Sequence, residues 1–287
     1  MSLTSPAGTA LPGPPSPAEH AALTALLAVE ETGPDRFLAL CTFDEGPHML
    51  YGGQVAAQAL AAAGRTVPPD RVPHSLHCAF LRGGTAAEPT EFAVERDRDG
   101  RSFSARRVVA RQRGRVLFTL SASFHRPEAG RELDVEPAPA APPAATLPAV
   151  ELLRLHSMEG RLPPGQLASA EWPTRFWARC TDDLADDPLL HACVLTYLSD
   201  LSSGLLALHD GSRFATGPSL DHSLWFHRPA RLDEWVLVDV VPRVVAGGRG
   251  WYSGTVHAAD GTLVASLAQE ALFRSGPPPT GRTGSDR

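Results

Sequence analysis

The length, composition and charge of the chain exclude several classes of function. It has 287 residues, of which 43% are hydrophobic, enough for one large core or two ordinary ones. All 26 of its Lys and Arg residues are arginines, which excludes mechanisms that need a lysine amine, such as Schiff-base chemistry. The formal net charge of -6 is spread over both halves of the chain, so nucleic acid is not an expected partner.

The cysteines and the hydropathy of the chain indicate where the protein works. Cys41, Cys78, Cys180 and Cys193 are far apart in the sequence and form no metal-ligand or redox pair by spacing. The first basic residue is Arg36, and no apolar stretch approaches the length of a membrane span. These features predict a cytoplasmic protein without a metal or other cofactor.

Three stretches rich in proline or polar residues divide the chain. Residues 1–17 combine five prolines with small residues, a composition that predicts a disordered tail. Residues 127–149 are rich in proline and alanine and predict a linker, and residues 276–287 predict a second disordered tail. Two segments of similar length remain, 18–126 and 150–275.

The two long segments contain the same motifs in the same order. Each has a histidine before an aromatic strand, then a Gly-Arg pair before an aromatic residue, then a glycine before an apolar run that ends in phenylalanine. The first set is His77, Phe80, Gly100, Arg101, Phe103, Gly114 and Phe124, and the second is His222, Trp225, Gly248, Arg249, Trp251, Gly261 and Phe273. This ordered set of matches predicts an internal duplication.

Each repeat is predicted to begin with a helix and to continue with strands. The first helix is an alanine-rich run over 54–63, and the second begins behind Asp187 as N-cap and Pro188 at the first helical position. Segments rich in β-branched and aromatic residues predict strands at about 91–97, 102–111, 115–125, 234–243, 251–258 and 262–273. A helix that covers an antiparallel sheet, repeated in tandem with the sheets joined edge to edge, is an α+β double hotdog.

Three polar residues of the second repeat occupy positions where a purely structural pattern favours carbon. Asp200 follows Tyr197 by three residues, beside the apolar face of its helix, where burial would raise the pKa of the carboxyl group. Gln269 interrupts the apolar face of the last predicted strand. Ser219 is predicted to open the strand that carries Asp221 and His222. Each also has an ordinary structural explanation, as a helix cap, an edge-strand amide and a turn residue.

Six motifs carry a resemblance to a known family. In the first repeat they are YGGQVAAQALAAAGRTVP from Tyr51, HSLHCAFLR from His74 and DGRSFSARRVVARQRGRVLFTLSASF from Asp99. In the second they are SDLSS from Ser199, SLDHSLWFHRP from Ser219 and DGTLVASLAQEALFR from Asp260. Through these motifs the chain resembles the acyl-CoA thioesterase II family over nearly all of residues 18–275.

The resemblance implies a function and a catalytic set. It implies hydrolysis of acyl-CoA, or of an acyl carrier protein thioester, by a homo-oligomer that needs no cofactor. By position in the motifs, the catalytic residues are Asp200, Ser219 and Gln269, whose side chains would converge on one water molecule. The chain departs from the family pattern at Gly83, where many relatives carry proline, and at Ser219, where threonine is frequent.

Other groups of residues permit two interpretations each. The run Gly52, Gly53 and Gln54 fits close approach of the backbone to the substrate, or a tight entry into the first helix. Eight arginines between Arg96 and Arg115 fit a phosphate-binding strip or, more simply, a solvated strand face. The histidines at 74, 77 and 222 lack metal-ligand spacing and are interpreted mainly as structural.

Two other functions remain open for this fold. A double-hotdog hydratase or dehydratase would act on an enoyl or hydroxyacyl thioester, and a noncatalytic protein would only bind an acyl thioester. The Asp, Ser and Gln set favours hydrolysis over both. No G-x-S-x-G, H-E-x-x-H or G-x-G-x-x-G motif supports a serine hydrolase, a zincin or a dinucleotide-binding protein.

Overall fold

The computed structural model describes residues 22–40, 49–152, 155–166, 173–201, 204–205 and 214–275. Both predicted disordered tails, 1–17 and 276–287, lie outside these ranges. The predicted linker is described throughout, and its second half is attached to the second repeat. Trp177 donates a hydrogen bond from Nε1 to the carbonyl of Pro142 at 2.9 Å, and Ala144 packs against Trp177 and Leu237.

Within the described residues, the first repeat contains two helices and six strands. They are α1 (Leu23–Leu27), β1 (Glu30–Gly33), β2 (Arg36–Ala39), α2 (Gly52–Gly64), β3 (Val72–Phe80), β4 (Thr90–Asp99), β5 (Phe103–Gln112) and β6 (Arg115–His125). The predicted helix and the three predicted strands of this repeat are confirmed with small changes at their ends. The short elements before α2 were not predicted, because their four or five residues show no clear periodicity.

The described part of the second repeat has one long helix and eight strands, preceded by a 3-10 turn at Ala144–Thr146. They are β7 (Ala149–Glu151), β8 (Met158–Arg161), β9 (Arg175–Cys180), α3 (Pro188–Ser199), β10 (Phe214–Ser219), β11 (Asp221–Phe226), β12 (Val236–Ala246), β13 (Arg249–Ala258) and β14 (Leu263–Ser275). The predicted start of α3 is confirmed, since the Asp187 side chain accepts hydrogen bonds from the amides of Leu189 and Leu190.

The described strands form one antiparallel sheet that runs through both repeats. Its order is β1-β2-β4-β5-β6-β3-β11-β14-β13-β12-β9-β8-β7, and β10 pairs with the far end of β14. At the centre, β3 of the first repeat pairs with β11 of the second, with Cys78 opposite His222. The predicted edge-to-edge junction is therefore confirmed, and it removes two free strand edges.

Helices α2 and α3 lie side by side and antiparallel over one face of this sheet. The start of α2 meets the end of α3, because a Cβ atom added at Gly53 would lie 2.5 Å from the carbonyl oxygen of Tyr197. The end of α2 meets the start of α3, where Leu189 fills the space beside Gly64. Small residues allow this close approach, and most of α2 is buried.

The sheet corrects the alignment of the two repeats at one position. The sequence aligns His77 with His222, but His77 is exposed and contacts Ser223, whereas His222 is fully buried. Successive strand residues point to opposite faces, so an alignment that is wrong by one residue exchanges inside for outside. On β3 the inward residue equivalent to His222 in the repeat is Leu76, which lies opposite Ala122 on β6.

A buried arginine anchors the end of α2. The Arg106 side chain on β5 has no exposed surface and donates to Thr66 Oγ1 at 2.8 Å and to the Thr66 carbonyl at 2.9 Å. It also pairs with Asp99 at 2.8 Å. Backbone carbonyls after a helix need such donors, because the helix itself supplies none.

Replacing this arginine is expected to destabilise the protein. Arg106→Leu removes the donor to the Thr66 carbonyl and the arginine partner of Asp99, which keeps only the hydrogen bond from Ser104, and should lower the free energy of unfolding by about 2–4 kcal/mol. The matched control is Arg107→Leu on the opposite face of β5, whose side chain is 54% exposed and whose loss should change stability by under about 1 kcal/mol. Urea denaturation measures both, and equal effects would contradict the anchoring role.

Candidate active site

The structure brings together the three side chains that the sequence singles out in the second repeat. Asp200 directly follows α3, Ser219 ends β10, and Gln269 lies within β14. Gln269 Nε2 donates to Asp200 Oδ1 at 2.7 Å and to Ser219 Oγ at 2.5 Å. The hydroxyl of Ser219 lies 3.5 Å from the same Asp200 oxygen. A carboxylate, a hydroxyl and an amide therefore share one site.

The backbone around Ser219 differs from the sequence prediction. Ser219 ends β10 and does not open the following strand, which begins at Asp221. The pairing of β10 with β14 changes register between Thr216 and Ser219, so the strand is irregular at this point. Such an irregularity changes the direction of a side chain, and here the hydroxyl of Ser219 meets Asp200.

Asp200 has an unusual electrostatic environment. Its carboxyl group lies deep among protein atoms, although part of the residue remains accessible to solvent. Burial raises the pKa of Asp200 to about 6, against the opposing effects of hydrogen bonds from Gln269, from the backbone amide of Gly53 and from Ser219. The carboxylate is therefore ionised at neutral pH and is a stronger base than a surface aspartate.

The glycines at the start of α2 form one wall of the site. A Cβ atom added at Gly52 would overlap Asp200 Oδ2 and lie 2.9 Å from the ring of Phe80. Gly53 places its amide against Asp200, and Gln54 is buried within α2. The close packing at the start of α2 is thus one reason why glycines occur there. The Asp200 carboxylate is a second reason, because only glycine leaves room beside it.

Sequence reasoning missed the environment of Gln269. On one side of β14, Gln269 lies opposite Tyr252 of β13. On the other side β14 pairs with β11, where Ala268, the residue before Gln269, lies opposite Ser223. That register places the buried His222 across from Gln269. Tyr252 is also buried, and burial raises the pKa of its phenol well above the ordinary value, so it stays neutral. Strand alternation around the motif SLDHS could have identified His222 as an inward residue.

The described cysteines do not supply an activated nucleophile. Cys78, Cys180 and Cys193 are buried, and burial raises the pKa of each thiol, to about 11 for Cys180. A thiol with a raised pKa carries almost no thiolate at neutral pH. Within the described ranges, no three His, Cys, Asp or Glu side chains are grouped to hold a metal ion.

The arginine-rich region of β4 and β5 is not part of this site. Arg96 pairs with Asp35, and Arg107 pairs with Glu95 and Asp97 on the exposed strand face. These pairs support the simpler interpretation of a solvated strand face. His74 and His77 contact Ser123 and Ser223 and do not reach the Asp200 site.

Comparisons with known proteins agree with the fold and identify a family. Residues 43–125 match the family model for the acyl-CoA thioesterase N-terminal domain, and residues 127–273 match that for the acyl-CoA thioesterase C-terminal domain. Acyl-coenzyme A thioesterase 8 of Rattus norvegicus is 33% identical over 286 residues, which cover 89% of each chain. The crystal structure of an acyl-CoA thioesterase II from Mycobacterium marinum is 38% identical, with a TM-score of 0.76 over 89% of this chain and 99% of that one.

A more distant structure supports the fold alone. A protein of Alicyclobacillus acidocaldarius described as having a hot dog fold is 20% identical, with a TM-score of 0.69 over 88% of this chain and 98% of that one. The fold and the matched relatives thus define a double-hotdog thioester hydrolase. More particularly, the chain belongs to the acyl-CoA thioesterase family, in agreement with the resemblance of its motifs. No helix within the described ranges is long and apolar enough to cross a membrane.

A methyl group at Gly52 is expected to disturb this site. Because the added Cβ overlaps Asp200 Oδ2, Gly52→Ala should displace the carboxylate and lower acyl-CoA hydrolysis by about tenfold or more. Gly33→Ala is the matched control, since nothing lies within 4 Å of a Cβ added there. Release of CoA thiol measures both variants, and full activity in Gly52→Ala would contradict the geometry.

The raised pKa of Asp200 predicts a pH-dependent stability. The folded state holds the proton more tightly than the unfolded chain, so the stabilisation from protonated Asp200 is complete below about pH 4 and is lost as pH rises towards 6. The change from 3.8 to about 6 corresponds to at most about 3 kcal/mol. Relative to Asp200→Asn, the wild type should lose up to this amount between pH 4 and 7 in urea denaturation. A difference that is independent of pH would contradict the raised pKa.

Proposed function

We propose that this protein hydrolyses acyl-CoA thioesters to a free acid and CoA, by direct attack of a water molecule held by Asp200, Ser219 and Gln269. The convergence of these three side chains around a carboxyl group whose pKa is raised to about 6 is the observation that carries the proposal. Membership in the acyl-CoA thioesterase family supports the substrate class.

In the proposed reaction Asp200 acts as the general base. It accepts a proton from water while the water oxygen bonds to the thioester carbonyl carbon, and the C-S bond then breaks as the CoA sulfur leaves and takes up a proton. A thioester is electrophilic enough that no covalent enzyme intermediate is needed. A base with a pKa near 6 is ionised at neutral pH and still binds the proton well enough to drive the transfer.

Ser219 and Gln269 orient the water and the base in this scheme. One amide hydrogen of Gln269 goes to Asp200 and the other to Ser219, so the amide holds both oxygens in place. Because the Ser219 hydroxyl accepts from Gln269, its own hydrogen remains for Asp200 or for the water. A water positioned in this way loses little further freedom on reaching the transition state.

The start of α2 is the proposed binding site for the thioester carbonyl. The first amides of a helix have no partner within the helix, and Tyr51 as N-cap makes no side-chain capping hydrogen bond. Gly52, Gly53 and Gln54 carry these amides. The amide of Gly53 donates to Asp200, so those of Gly52 and Gln54 are the proposed donors to the thioester carbonyl. Donors of this kind stabilise the oxyanion that forms when water attacks.

Among the residues that the structure describes, only those of the second repeat supply the complete set, so we infer one hydrolytic site per chain. At the opposite junction of the two helices, Leu189 fills the space beside Gly64. Leu76 and Ala122 of the first repeat are apolar where the second repeat has polar groups. The first repeat contributes the wall at Gly52 and Phe80.

Three finer expectations belong to this proposal. The acyl group is carried by CoA rather than by acyl carrier protein, which competing hydrolysis assays distinguish. A homo-oligomer is expected because Phe103, Trp225 and Trp251 are 50%, 37% and 39% exposed on sheet strands, and sedimentation measures the assembly. A cytoplasmic location is expected and is tested by cell fractionation.

A panel of acyl-CoA thioesters tests the reaction and its residues together. The wild type should release free thiol, and its kcat/KM should fall about tenfold per pH unit below about pH 6, as Asp200 of the free enzyme becomes protonated. Asp200→Asn should lower kcat by about a hundredfold or more, and Gln269→Ala and Ser219→Ala by about tenfold or more. Arg107→Leu serves as a surface control.

Each result that would contradict the proposal points to a different alternative. Binding of acyl-CoA without thiol release would favour a noncatalytic binding protein, and hydration of an enoyl-CoA without thiol release would favour a hydratase. Thiol release that survives all three substitutions would keep the reaction but reject the site.

A further inference from the structure

A row of buried polar side chains continues from the proposed site into the core. Ser199 is the last residue of α3, His222 lies on β11 and Gln269 on β14, and all three are at most 2% exposed. Ser199 Oγ and His222 Nε2 are 2.8 Å apart. The row therefore leads from the end of α3, through a fully buried imidazole, to the amide that contacts Asp200.

Two atoms in this row are buried and lack a hydrogen bond of ordinary geometry within the described ranges. They are Nδ1 of His222 and Oε1 of Gln269, which belong to side chains placed across from each other by the register of β11 and β14. Burial lowers the pKa of His222 to about 4. A contact with the Gln269 side chain acts in the opposite direction and raises that pKa by a smaller amount, so the two side chains do interact. His222 is thus neutral at neutral pH and carries a single ring proton.

The position of that proton follows from the neighbouring groups. If Nε2 carries it, the lone pair of Nδ1 faces the amide oxygen of Gln269, and two acceptors meet in a buried place. Turning the amide over would relieve this contact but would put its oxygen 2.7 Å from an oxygen of Asp200. That arrangement is unfavourable when Asp200 is ionised, as a general base must be.

The alternative tautomer satisfies both His222 and Gln269. With the proton on Nδ1, His222 donates to Gln269 Oε1, and both amide hydrogens of Gln269 point towards Asp200 and Ser219. Ser199 lies 2.9 Å from the Thr196 carbonyl and 2.8 Å from His222 Nε2, and its single hydroxyl hydrogen then goes to the imidazole. The Thr196 carbonyl, in the last turn of α3, gives up its hydrogen bond from Ser199 in exchange.

We propose that His222 is a positioning residue, whose Nδ1-H donates to Gln269 Oε1 and fixes the amide with its nitrogen towards Asp200 and Ser219. This inference rests on the proposed function of the three-residue site. Without the histidine, a terminal amide has two orientations of similar shape, and only one of them donates to the base.

The first repeat shows that the fold itself does not need this histidine. There the corresponding inward pair is Leu76 on β3 and Ala122 on β6, both at most 3% exposed. A leucine at this place packs under the same helix layer with no polar partner. Burying an imidazole and an amide in the second repeat is costlier than burying carbon, so a functional reason is indicated.

Nitrogen NMR of wild-type protein labelled with 15N-histidine tests the tautomer without any assay of activity. At pH 8 the His222 resonances, assigned by their loss in His222→Leu, should show a protonated Nδ1 and an unprotonated Nε2. A proton on Nε2 would overturn the proposal.

Two amide variants test the role in catalysis. The amide nitrogen of asparagine lies near the place of Nδ1, and that of glutamine near the place of Nε2. His222→Asn should therefore keep kcat within about fivefold of the wild type, while His222→Gln and His222→Leu should lose about tenfold or more, with KM changed by less than about twofold. A purely structural role would favour glutamine, which is larger and keeps the contact with Ser199. A higher kcat in His222→Gln than in His222→Asn would therefore overturn the proposal.

A double-mutant cycle with Gln269→Ala separates this inference from the proposed function. In the Gln269→Ala protein, His222→Leu should lower kcat by less than about twofold, because the amide that it positions is already gone. Additive losses would overturn the inference. If Gln269→Ala alone keeps full activity, the proposed site fails instead. Urea denaturation of each variant verifies that the protein measured is folded.

Discussion

The burial of one carboxyl group, that of Asp200, is the constraint on which the rest of the site depends. Removing an aspartate from water raises its pKa, and the effect persists only while protein atoms exclude solvent. The donors from Gln269, Gly53 and Ser219 limit the shift, so that the group remains ionised at neutral pH. Each donor comes from a different element, and α3, α2, β10 and β14 must therefore meet at one point.

This meeting point requires two helices in unusually close contact. Gly52 and Gly53 allow the start of α2 to press against Asp200 and Tyr197, and an added Cβ atom at either position would collide. The same closeness directs the positive end of α2 at the carboxylate, which favours its ionised form. The composition of α2, almost entirely glycine, alanine and glutamine in its first turns, is thus a property of the site as much as of the helix.

The duplication explains the fold but not the site. Both repeats have a long helix on antiparallel strands, and the pairing of β3 with β11 joins them into one sheet. At equivalent inward places, however, one repeat has Leu76 and Ala122 and the other has His222 and Gln269. The apolar pair stabilises the packing of the helices on the sheet. The polar pair must form hydrogen bonds because it is buried, and these hydrogen bonds can orient the groups of the site.

The sequence by itself determined the order of the long elements, the duplication and the three polar residues Asp200, Ser219 and Gln269. These features depend on local periodicity, on capping residues such as Asp187, and on carbon-rich faces interrupted by single polar groups. Tertiary structure alone decided which way each strand residue points and what it meets. His77 and His222 share a motif position but lie on opposite faces of the sheet, because a shift of one residue along a strand turns every side chain to the other face. The contact between Gln269 and Asp200 joins residues 69 positions apart, and only the tertiary fold, which places the end of α3 beside β14, brings them to 2.7 Å.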